Sequence, residues 1–403
     1  MPRRNRMRRE KGFTLIEVLV AITVLSLVVA VTLSTLTNAI HATEAVSLMA
    51  DTQQNLRAGL NYMVRDFLQT GEGIPLGGIT IPNTGGTSAM QRPGPGTPGT
   101  SFGTFNTTWT ALPAIITGYQ LGPTTATSGV GTDMVTLIYA DTTLVDANGH
   151  WLNEFPIFLS AGGGTAGCAA TNPNPAPAGS IVTAGSTTTV TFDPTCIVIN
   201  NGNTGLSPGD LILLQNNNTL GDGSITGTDT AISDSSGHLA LFYVSSVNVA
   251  GNSIKFSSGD PFGLNASGAS AGTIKQIQSP PGSGTYPTTT ATRVWMITYF
   301  IDNSNPSRPE LMRQVNLKQP QAVGEVIENM QLFYDILNAG SSPVTVTAGQ
   351  GNPTQAQLPD IRDAYIILYA RSENPYSQSK TYFRNNLETV VSIRGLDFYN
   401  EFQ

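Results

Sequence analysis

A single carboxylate stands inside a strongly apolar stretch near the start of this chain. The stretch covers residues 13–36, a run of 24 residues whose one charged side chain is Glu17. A carboxylate in lipid costs about 2.5–3.5 kcal/mol at a helix centre, and buried charges persist where an opposite charge pairs with them. If the chain is cut between Gly12 and Phe13, the new ammonium group of Phe13 supplies such a charge to Glu17 of a neighbouring copy. The spacing therefore predicts that Glu17 is a docking charge between copies rather than part of a lone anchor.

The residues before the apolar run indicate how it meets a membrane. A helix of 24 residues is long enough to cross a hydrocarbon core of about 30 Å. Residues 1–12 carry six basic side chains and one acidic one, a net charge of +5, and such a basic head marks the cytoplasmic side. A cleavable secretory signal places its small residue after a shorter apolar region, whereas Gly12 precedes this one. The alternative is an uncut signal anchor in which Glu17 has no special role.

Residues 222–234 form a candidate calcium loop. Its oxygen-bearing side chains are spaced like the first half of such a loop, but the twelfth position is Ser233 rather than the bidentate Glu. The candidate ligands are Asp222, Ser224, Thr226, Asp229 and Asp234. The alternative is a polar turn between strands.

The chain contains two cysteines, Cys168 and Cys196. An even pair in an exported chain predicts a disulfide in an oxidising compartment, and the alternative is two unpaired buried thiols. A CxxC spacing is absent from the sequence, which argues against zinc.

Signatures of catalysis are weak in this sequence. The histidines His41, His150 and His238 are scattered. The GxSxG pattern occurs at residues 99–103 and 268–272, both in Gly-rich loops rather than at a strand-to-helix turn. Neither a P-loop nor GxGxxG is present. We therefore predict no catalytic residues, no enzymatic activity and no cofactor beyond the candidate calcium.

Composition and charge limit the fold class and the partners. The chain of 403 residues is 39% hydrophobic and 12% charged, with 42 glycines and 25 prolines, which favours a β-rich or loop-rich body. The whole chain has a net charge of −7, so the residues after the basic head carry −12. Such an acidic body does not attract nucleic acid.

The helical pattern continues beyond the membrane run and predicts one helix over residues 13–68, ending near Thr70 and Gly71. Polar side chains at Arg57, Asn61 and Arg65 lie off its apolar face. That face consists of Met49, Leu56, Leu60, Met63 and Phe67. It predicts that the second half of the helix packs on a globular body.

Strand candidates follow at intervals, rich in Val, Ile, Tyr and Phe and bounded by turn residues. They are residues 134–140, 155–159, 196–199, 210–214, 239–249, 293–301, 310–316, 326–335, 364–370 and 387–395. Residues 293–316 read as a hairpin with a Pro-containing turn. Residues 72–132 are predicted to be mostly turn and loop, with mobile surface loops at 83–101 and 161–187. The expected fold is α+β, a long N-terminal helix packed on antiparallel sheet with long Gly/Pro/Thr-rich loops.

The hexapeptide GFTLIE at residues 12–17 resembles the class III signal of type IV pilins and their pseudopilin relatives. The resemblance implies that a prepilin peptidase cuts between Gly12 and Phe13 and N-methylates Phe13. It also implies that Glu17 guides assembly into a filament.

Further phrases are similar to PilW-like minor pilins, and the first of them, residues 55–71, is also similar to J-type pseudopilins of type II secretion. They lie at residues 55–71, 131–141, 207–214, 293–316, 326–335 and 391–398. The length of the chain favours the PilW-like group. Competing readings are a J-like pseudopilin of a secretion or competence filament, and an exported adhesive or ligand-binding protein that acts through loops 83–101 or 222–234.

The resemblance implies a structural subunit that takes part in type IV pilus assembly, in a tip or initiation complex. Its partners would be the prepilin peptidase, other minor pilins, the major pilin and, before assembly, lipid of the bacterial inner membrane. The chain would be single-pass with its globular part in the periplasm, and later part of a pilus at the cell surface. Its expected segments are a leader (1–12), a membrane and assembly helix (13–36), a periplasmic half-helix (37–70) and a β-rich domain (71–403).

Overall fold

A computed structural model gives the fold of this chain. The residues it describes are 12–75, 78–82, 91–94, 103–104, 111–124, 129–141, 143–144, 159–160, 179–192, 194, 197–199, 205–216, 239–266, 272–278, 289–338 and 345–397. They form two compact units. The N-terminal unit comprises Met1–Gln53 with Arg371–Asn385, and the body comprises Gln54–Ala370 with Asn386–Gln403.

The helix α1 (Leu15–Gln69) runs through both units. It contains no proline, and Gly71 follows it with a φ of 84°, a left-handed conformation that glycine adopts without strain. The prediction of one long helix ending near Thr70 and Gly71 is thus confirmed, and the helix begins two residues later than expected.

Twenty strands follow the helix in the described part of the chain. They are β1 (Ile79–Thr80), β2 (Gln91–Arg92), β3 (Gly103–Thr104), β4 (Ala111–Leu112), β5 (Ile115–Gly118), β6 (Met134–Ala140), β7 (Leu159–Ser160), β8 (Gly179–Ala184), β9 (Thr187–Phe192), β10 (Leu211–Asn216), β11 (Leu239–Tyr243), β12 (Ser246–Asn248), β13 (Ser253–Ser257), β14 (Thr289–Asp302), β15 (Glu310–Val315), β16 (Gln321–Glu325), β17 (Ile327–Asn338), β18 (Thr345–Gln350), β19 (Ile361–Arg371) and β20 (Arg384–Ser392). A 3₁₀ helix (Gln355–Asp360) and a short helix α2 (Arg394–Asp397) lie among and after them.

The central element of the body is the long strand β14. Its first half pairs antiparallel with β10 and its second half with β15, while β6 pairs antiparallel along its other edge. The resulting seven-stranded sheet also contains β5, β11 and β16. A four-stranded sheet in the order β18-β17-β19-β20 and a five-stranded sheet in the order β12-β13-β9-β8-β7 accompany it. The predicted α+β class with antiparallel sheet is confirmed.

The helix packs on the body through the apolar face that its sequence predicted. Leu56, Leu60, Met63 and Phe67 are buried, whereas Met49 is 42% exposed, so its assignment to this face was wrong. Between these side chains the backbone comes close to the sheet at Gly59, where a methyl group would lie 2.9 Å from Leu311 Cδ2. A larger residue at this position would therefore require the Leu311 side chain to shift.

A buried carboxylate joins the end of the helix to three strands of the sheet. Asp66 is fully buried and accepts hydrogen bonds from Tyr299 Oη on β14 at 2.6 Å and from Arg313 Nε on β15 at 2.6 Å. Tyr139 Oη on β6 donates a third, at 3.3 Å. Burial and the charge of Asp66 raise the pKa of Tyr299, so its phenol stays protonated and remains a donor. The sequence analysis did not identify this cluster.

A second buried ionic group surrounds Arg293 on β14. Its guanidinium donates to Asp141 from Nε at 2.8 Å and lies 3.7 Å from Asp210, which also pairs with Lys318 Nζ at 2.8 Å. Burial alone would raise the pKa of Asp141, but hydrogen bonds from Thr143 and Arg293 lower it. Its ion pairs connect β14 to residues that flank β6, β10 and β15.

Strands β10 and β11 are buried on both faces. Leu211, Leu213, Leu239 and Leu241 face the core beneath the helix. The alternate residues Ile212, Leu214, Ala240 and Phe242 face a second core, which they share with the five-stranded sheet. Two-sided burial explains why both strands read as unbroken apolar runs rather than as alternating ones.

Most of the predicted strands that fall on described residues are confirmed within a few residues, and residues 293–316 form the predicted hairpin. The prediction for 196–199 was wrong over 197–199, which form no strand. The side chain of Asn252 satisfies this segment instead: its Oδ1 accepts from Ile199 N at 2.7 Å and its Nδ2 donates to Ile197 O at 2.7 Å. These bonds take the place of a strand ladder.

Two other strand boundaries differ from the expectation. The single run predicted over 239–249 divides at Val244 and Ser245 into β11 and β12, which belong to different sheets. The loop predicted over 161–187 contains β8 in its described part, because β9 pairs with it through a Thr-rich segment that alternates in burial.

In the N-terminal unit, the loop of residues 371–385 contacts the helix. Glu44 accepts hydrogen bonds from Ser377 N at 3.0 Å and from the Ser377 hydroxyl. His41 Nδ1 lies 3.1 Å from the same hydroxyl, and its ring meets Tyr376 edge-on with 6.2 Å between centroids. The pKa of Glu44 is lowered, chiefly by the hydrogen bond from the Ser377 side chain.

We expect Asp66→Ala to lower the free energy of unfolding by about 3–5 kcal/mol, because it removes the carboxylate that accepts hydrogen bonds from the buried Tyr299 hydroxyl and from the half-buried Arg313. Denaturant unfolding of the full chain in detergent, followed by tryptophan fluorescence, measures the change. Asp51→Ala is the matched control, since Asp51 lies exposed on the same helix and should change stability by less than about 0.5 kcal/mol. Equal effects of the two substitutions would contradict the structural role of Asp66.

We expect the 371–385 loop to detach from the helix as the pH falls. The pKa of Glu44 is lower when the loop is docked, so ionised Glu44 stabilises the contact above its ordinary pKa of about 4.3, and this stabilisation is lost as the pH falls through the lowered value. Hydrogen exchange of the Ser377 amide, corrected for intrinsic rates, should show less protection at low pH. Glu44→Gln should abolish this pH dependence, and a pH profile that Glu44→Gln leaves intact would refute the account.

Candidate assembly and processing site

The candidate site lies at the N-terminal end of α1, where a capping box fixes Glu17. Thr14 precedes the first helical residue, and its amide and hydroxyl both donate to Glu17 Oε2 at 2.9 Å. In return, Glu17 N donates to Thr14 Oγ1 at 3.4 Å. Thr and Glu three residues apart satisfy the free donors of a helix start in this way.

The cap changes what Glu17 can do. A carboxylate in the first turn of a helix is favoured by the helix dipole, and here its own chain also provides two hydrogen bonds to it. A carboxylate has two oxygens and about four acceptor sites, so it can accept further donors while the cap persists. Glu17 is thus held at the helix start and exposed, available to a cation from outside the chain.

The helix around Glu17 is apolar and uncovered. All residues from 12 to 40 are exposed, including Phe13 at 87% and Leu15 at 85%. By length and composition, α1 is the one helix in the described residues that could cross a membrane. An apolar surface of this size needs lipid or other protein helices to cover it.

Four hydroxyl side chains within the apolar run donate to backbone carbonyls of their own helix. Thr23 and Ser26 donate to Val20 O and Thr23 O, each at 2.8 Å. Thr32 and Thr35 donate to Val29 O and Val31 O, each at 2.9 Å. The helix backbone therefore accepts the hydrogen bonds of these hydroxyl groups, which would be costly to leave unpaired in lipid.

The structure brings some predicted site residues together and leaves others outside the part it describes. Gly12 and Phe13 lie just before the capped turn that holds Glu17. Cys168 and Cys196 lie outside the described residues, and so do the candidate calcium ligands Asp222, Ser224, Thr226, Asp229 and Asp234. Within the described part of the chain, no group of three or more His, Cys, Asp or Glu could hold a metal ion.

Sequence analysis missed Thr14 as the partner of Glu17. The signal was present, because a Thr followed three residues later by Glu and then by an apolar run is the pattern of a capping box. Of the three histidines, His41 is the one in the described residues, and it contacts the 371–385 loop.

Comparison with known proteins supports this N-terminal site. Residues 7–33 match the family model of the Prokaryotic N-terminal methylation motif. Together with the long apolar helix, the motif indicates a type IV pilin-like protein that prepilin peptidase processes, and it points to a structural rather than an enzymatic role. The helix and the motif are consistent with membrane anchoring and pilus export. Neither a curated protein nor a solved structure matches the chain.

We expect Thr14→Ala to loosen the first turn of α1 by about 1 kcal/mol, the usual effect of removing a helix cap. Hydrogen exchange of the amides of residues 15–18 in detergent micelles measures this loosening. Thr23→Ala is the matched control, since the Thr23 hydroxyl only returns to a carbonyl of its own helix. Thr23→Ala should leave hydrogen exchange in the first turn unchanged. The same result for Thr14→Ala would show that Thr14 does not cap the helix.

Proposed function

We propose that this chain is a structural minor subunit of a type IV pilus, similar to PilW-like minor pilins, that takes part in assembly within a tip or initiation complex. One observation carries the proposal: the part of α1 that lies within the methylation motif, residues 15–33, is exposed and apolar, and its single carboxylate stands in the first turn of the helix. The cap uses only part of the acceptor capacity of that carboxylate, whereas a helix that docks beside other helices can also pair its charge with a neighbouring cation.

Processing produces the partner for that charge. Prepilin peptidase cuts between Gly12 and Phe13, removes the leader of residues 1–12 and methylates the new terminal nitrogen of Phe13. The methylated ammonium keeps its positive charge. In a filament, Glu17 of one subunit then pairs with Phe13 of a neighbour, and each charge is stabilised inside an apolar helix bundle.

The same helix surface serves two environments in turn. Before assembly, residues 13–36 span the inner membrane, with residues 37–70 and the β-rich domain of residues 71–403 in the periplasm. During assembly, the helix moves from lipid to neighbouring helices of other minor pilins and of the major pilin. Such an exchange costs little, because lipid tails and apolar side chains satisfy the same surface. Cys168 and Cys196 are joined as a disulfide after export.

We expect the mature protein to begin with N-methylated Phe13. Mass spectrometry of the N-terminal peptide, taken from membranes and from sheared filaments, tests both processing and incorporation. The modified peptide in the filament fraction would establish the chain as a subunit. An intact Met1 would instead make it a simple anchor, and cleavage beyond residue 30 would make it a secreted protein.

We expect Glu17→Ala to be processed and inserted into membranes normally, yet to fall at least about tenfold in the filament fraction, because the neighbour's ammonium loses its partner. Immunoblots of membrane and sheared-filament fractions measure both quantities. Asp51→Ala removes an exposed carboxylate from the same helix and serves as the control. Unchanged filament incorporation of Glu17→Ala would refute the assembly role of this carboxylate.

A further inference from the structure

The 371–385 loop touches the helix a short distance beyond the apolar run. Its Ser377 contacts Glu44 and lies 3.1 Å from His41 Nδ1. At a rise of about 1.5 Å per residue, His41 lies about 7.5 Å and Glu44 about 12 Å along the helix axis from Leu36, the last residue of the run. The two contact residues and the loop belong to one compact unit.

This distance matches a layer of the bilayer. A membrane has a hydrocarbon core of about 30 Å and a total thickness of about 40–45 Å with its polar headgroups, so each headgroup layer is roughly 5–8 Å deep. When residues 13–36 span the hydrocarbon core, the part of the helix that the loop contacts begins at the outer edge of the headgroups, at His41, and ends a few ångströms beyond it, at Glu44. The loop is therefore placed at the membrane surface.

The side chains of the loop suit that position. The loop contains three basic side chains and one acidic side chain, namely Arg371, Lys380, Arg384 and Glu373. Its net charge is therefore +2, in a chain that carries −12 after its first 12 residues. Glu44 reduces the local charge to +1, but its carboxylate is turned toward Ser377. Lys380 is exposed near the turn, where its amide donates to Tyr376 O at 2.8 Å.

Aromatic rings accompany these charges. The guanidinium of Arg371 lies 4.3 Å from the centroid of the Tyr382 ring and that of Arg384 lies 6.0 Å from it. Tyr376 and Phe383 are both partly exposed. Tyrosines concentrate at the interface between membrane and water, and basic side chains there attract anionic lipid headgroups.

We propose that the 371–385 loop is a binding surface for anionic phospholipid headgroups, and that it rests on the membrane beside the helix until the chain enters a filament. The inference depends on the proposed function in one respect, since it requires residues 13–36 to span a bilayer. Bound headgroups fix the rotation of the helix about its own axis, and extraction of the helix into a filament removes the loop from them.

Photo-crosslinking in vesicles tests the inference with the full-length chain. A benzophenone amino acid replaces one residue at a time: Leu25 within the span, Gln378 in the loop, or Asp51, which lies about 22 Å along the helix from Leu36. The three side chains are exposed. Each variant is reconstituted in phosphatidylcholine and in phosphatidylcholine with phosphatidylglycerol, irradiated, and analysed by mass spectrometry for lipid adducts.

We expect lipid adducts at Leu25 and Gln378 but not at Asp51. Adducts at Leu25 without adducts at Gln378 would overturn the loop inference and leave the spanning helix intact. A Gln378 adduct with a second protein chain in place of lipid would also overturn it. Absence of adducts at Leu25 would refute the spanning helix of the proposed function and the loop inference together.

Charge provides the second arm of the test. Lys380 has a φ of 56°, a left-handed conformation that asparagine tolerates well, so Lys380→Asn removes the charge with little strain. It should lower adduct formation between Gln378 and phosphatidylglycerol about fivefold, and should have no effect in phosphatidylcholine alone. Equal yields with both lipids, or no response to Lys380→Asn, would show that anionic headgroups are not the ligand.

Discussion

The structure depends on one constraint: the single unbroken helix α1 must present an exposed apolar surface along its first part and pack against the sheet along its last part. Its first part is exposed and apolar from residue 12 to residue 40. Its last part buries Leu56, Leu60, Met63 and Phe67 against the sheet. The first surface needs lipid or other helices to cover it, whereas the second is covered by the body of the same chain. A proline or an internal break would uncouple these two surfaces, and the helix contains neither.

The second surface is positioned by polar contacts as well as by apolar ones. Asp66 at the end of the helix reaches β6, β14 and β15, and Arg293 links the ends of strands in the same sheet. The members of these groups come from four separated segments of the chain, residues 55–71, 131–141, 207–214 and 293–318. Removing one member of such a group leaves a buried charge unpaired, which strongly favours a single arrangement of helix and sheet.

Local patterns predicted the elements better than the contacts between them. The limits of α1 and its buried face follow from periodicity and from Gly71, and Glu17 stands out because one charge interrupts an apolar run. Asp66 was missed because its partners Tyr299 and Arg313 lie more than 200 positions away in the sequence. Residues 197–199 read as a strand, yet the side chain of Asn252 satisfies their backbone, and no local pattern reveals that partner.

The two strands that are buried on both faces have a mechanical consequence. β10 and β11 form a wall of the core beneath the helix and of the second core at the same time. Because both cores pack against these two strands, a disruption of β10 or β11 would loosen both cores at once. The body should therefore resist force as a single element. Under tension, such a body would hold its full length up to a threshold and then yield in one step, rather than lengthening gradually.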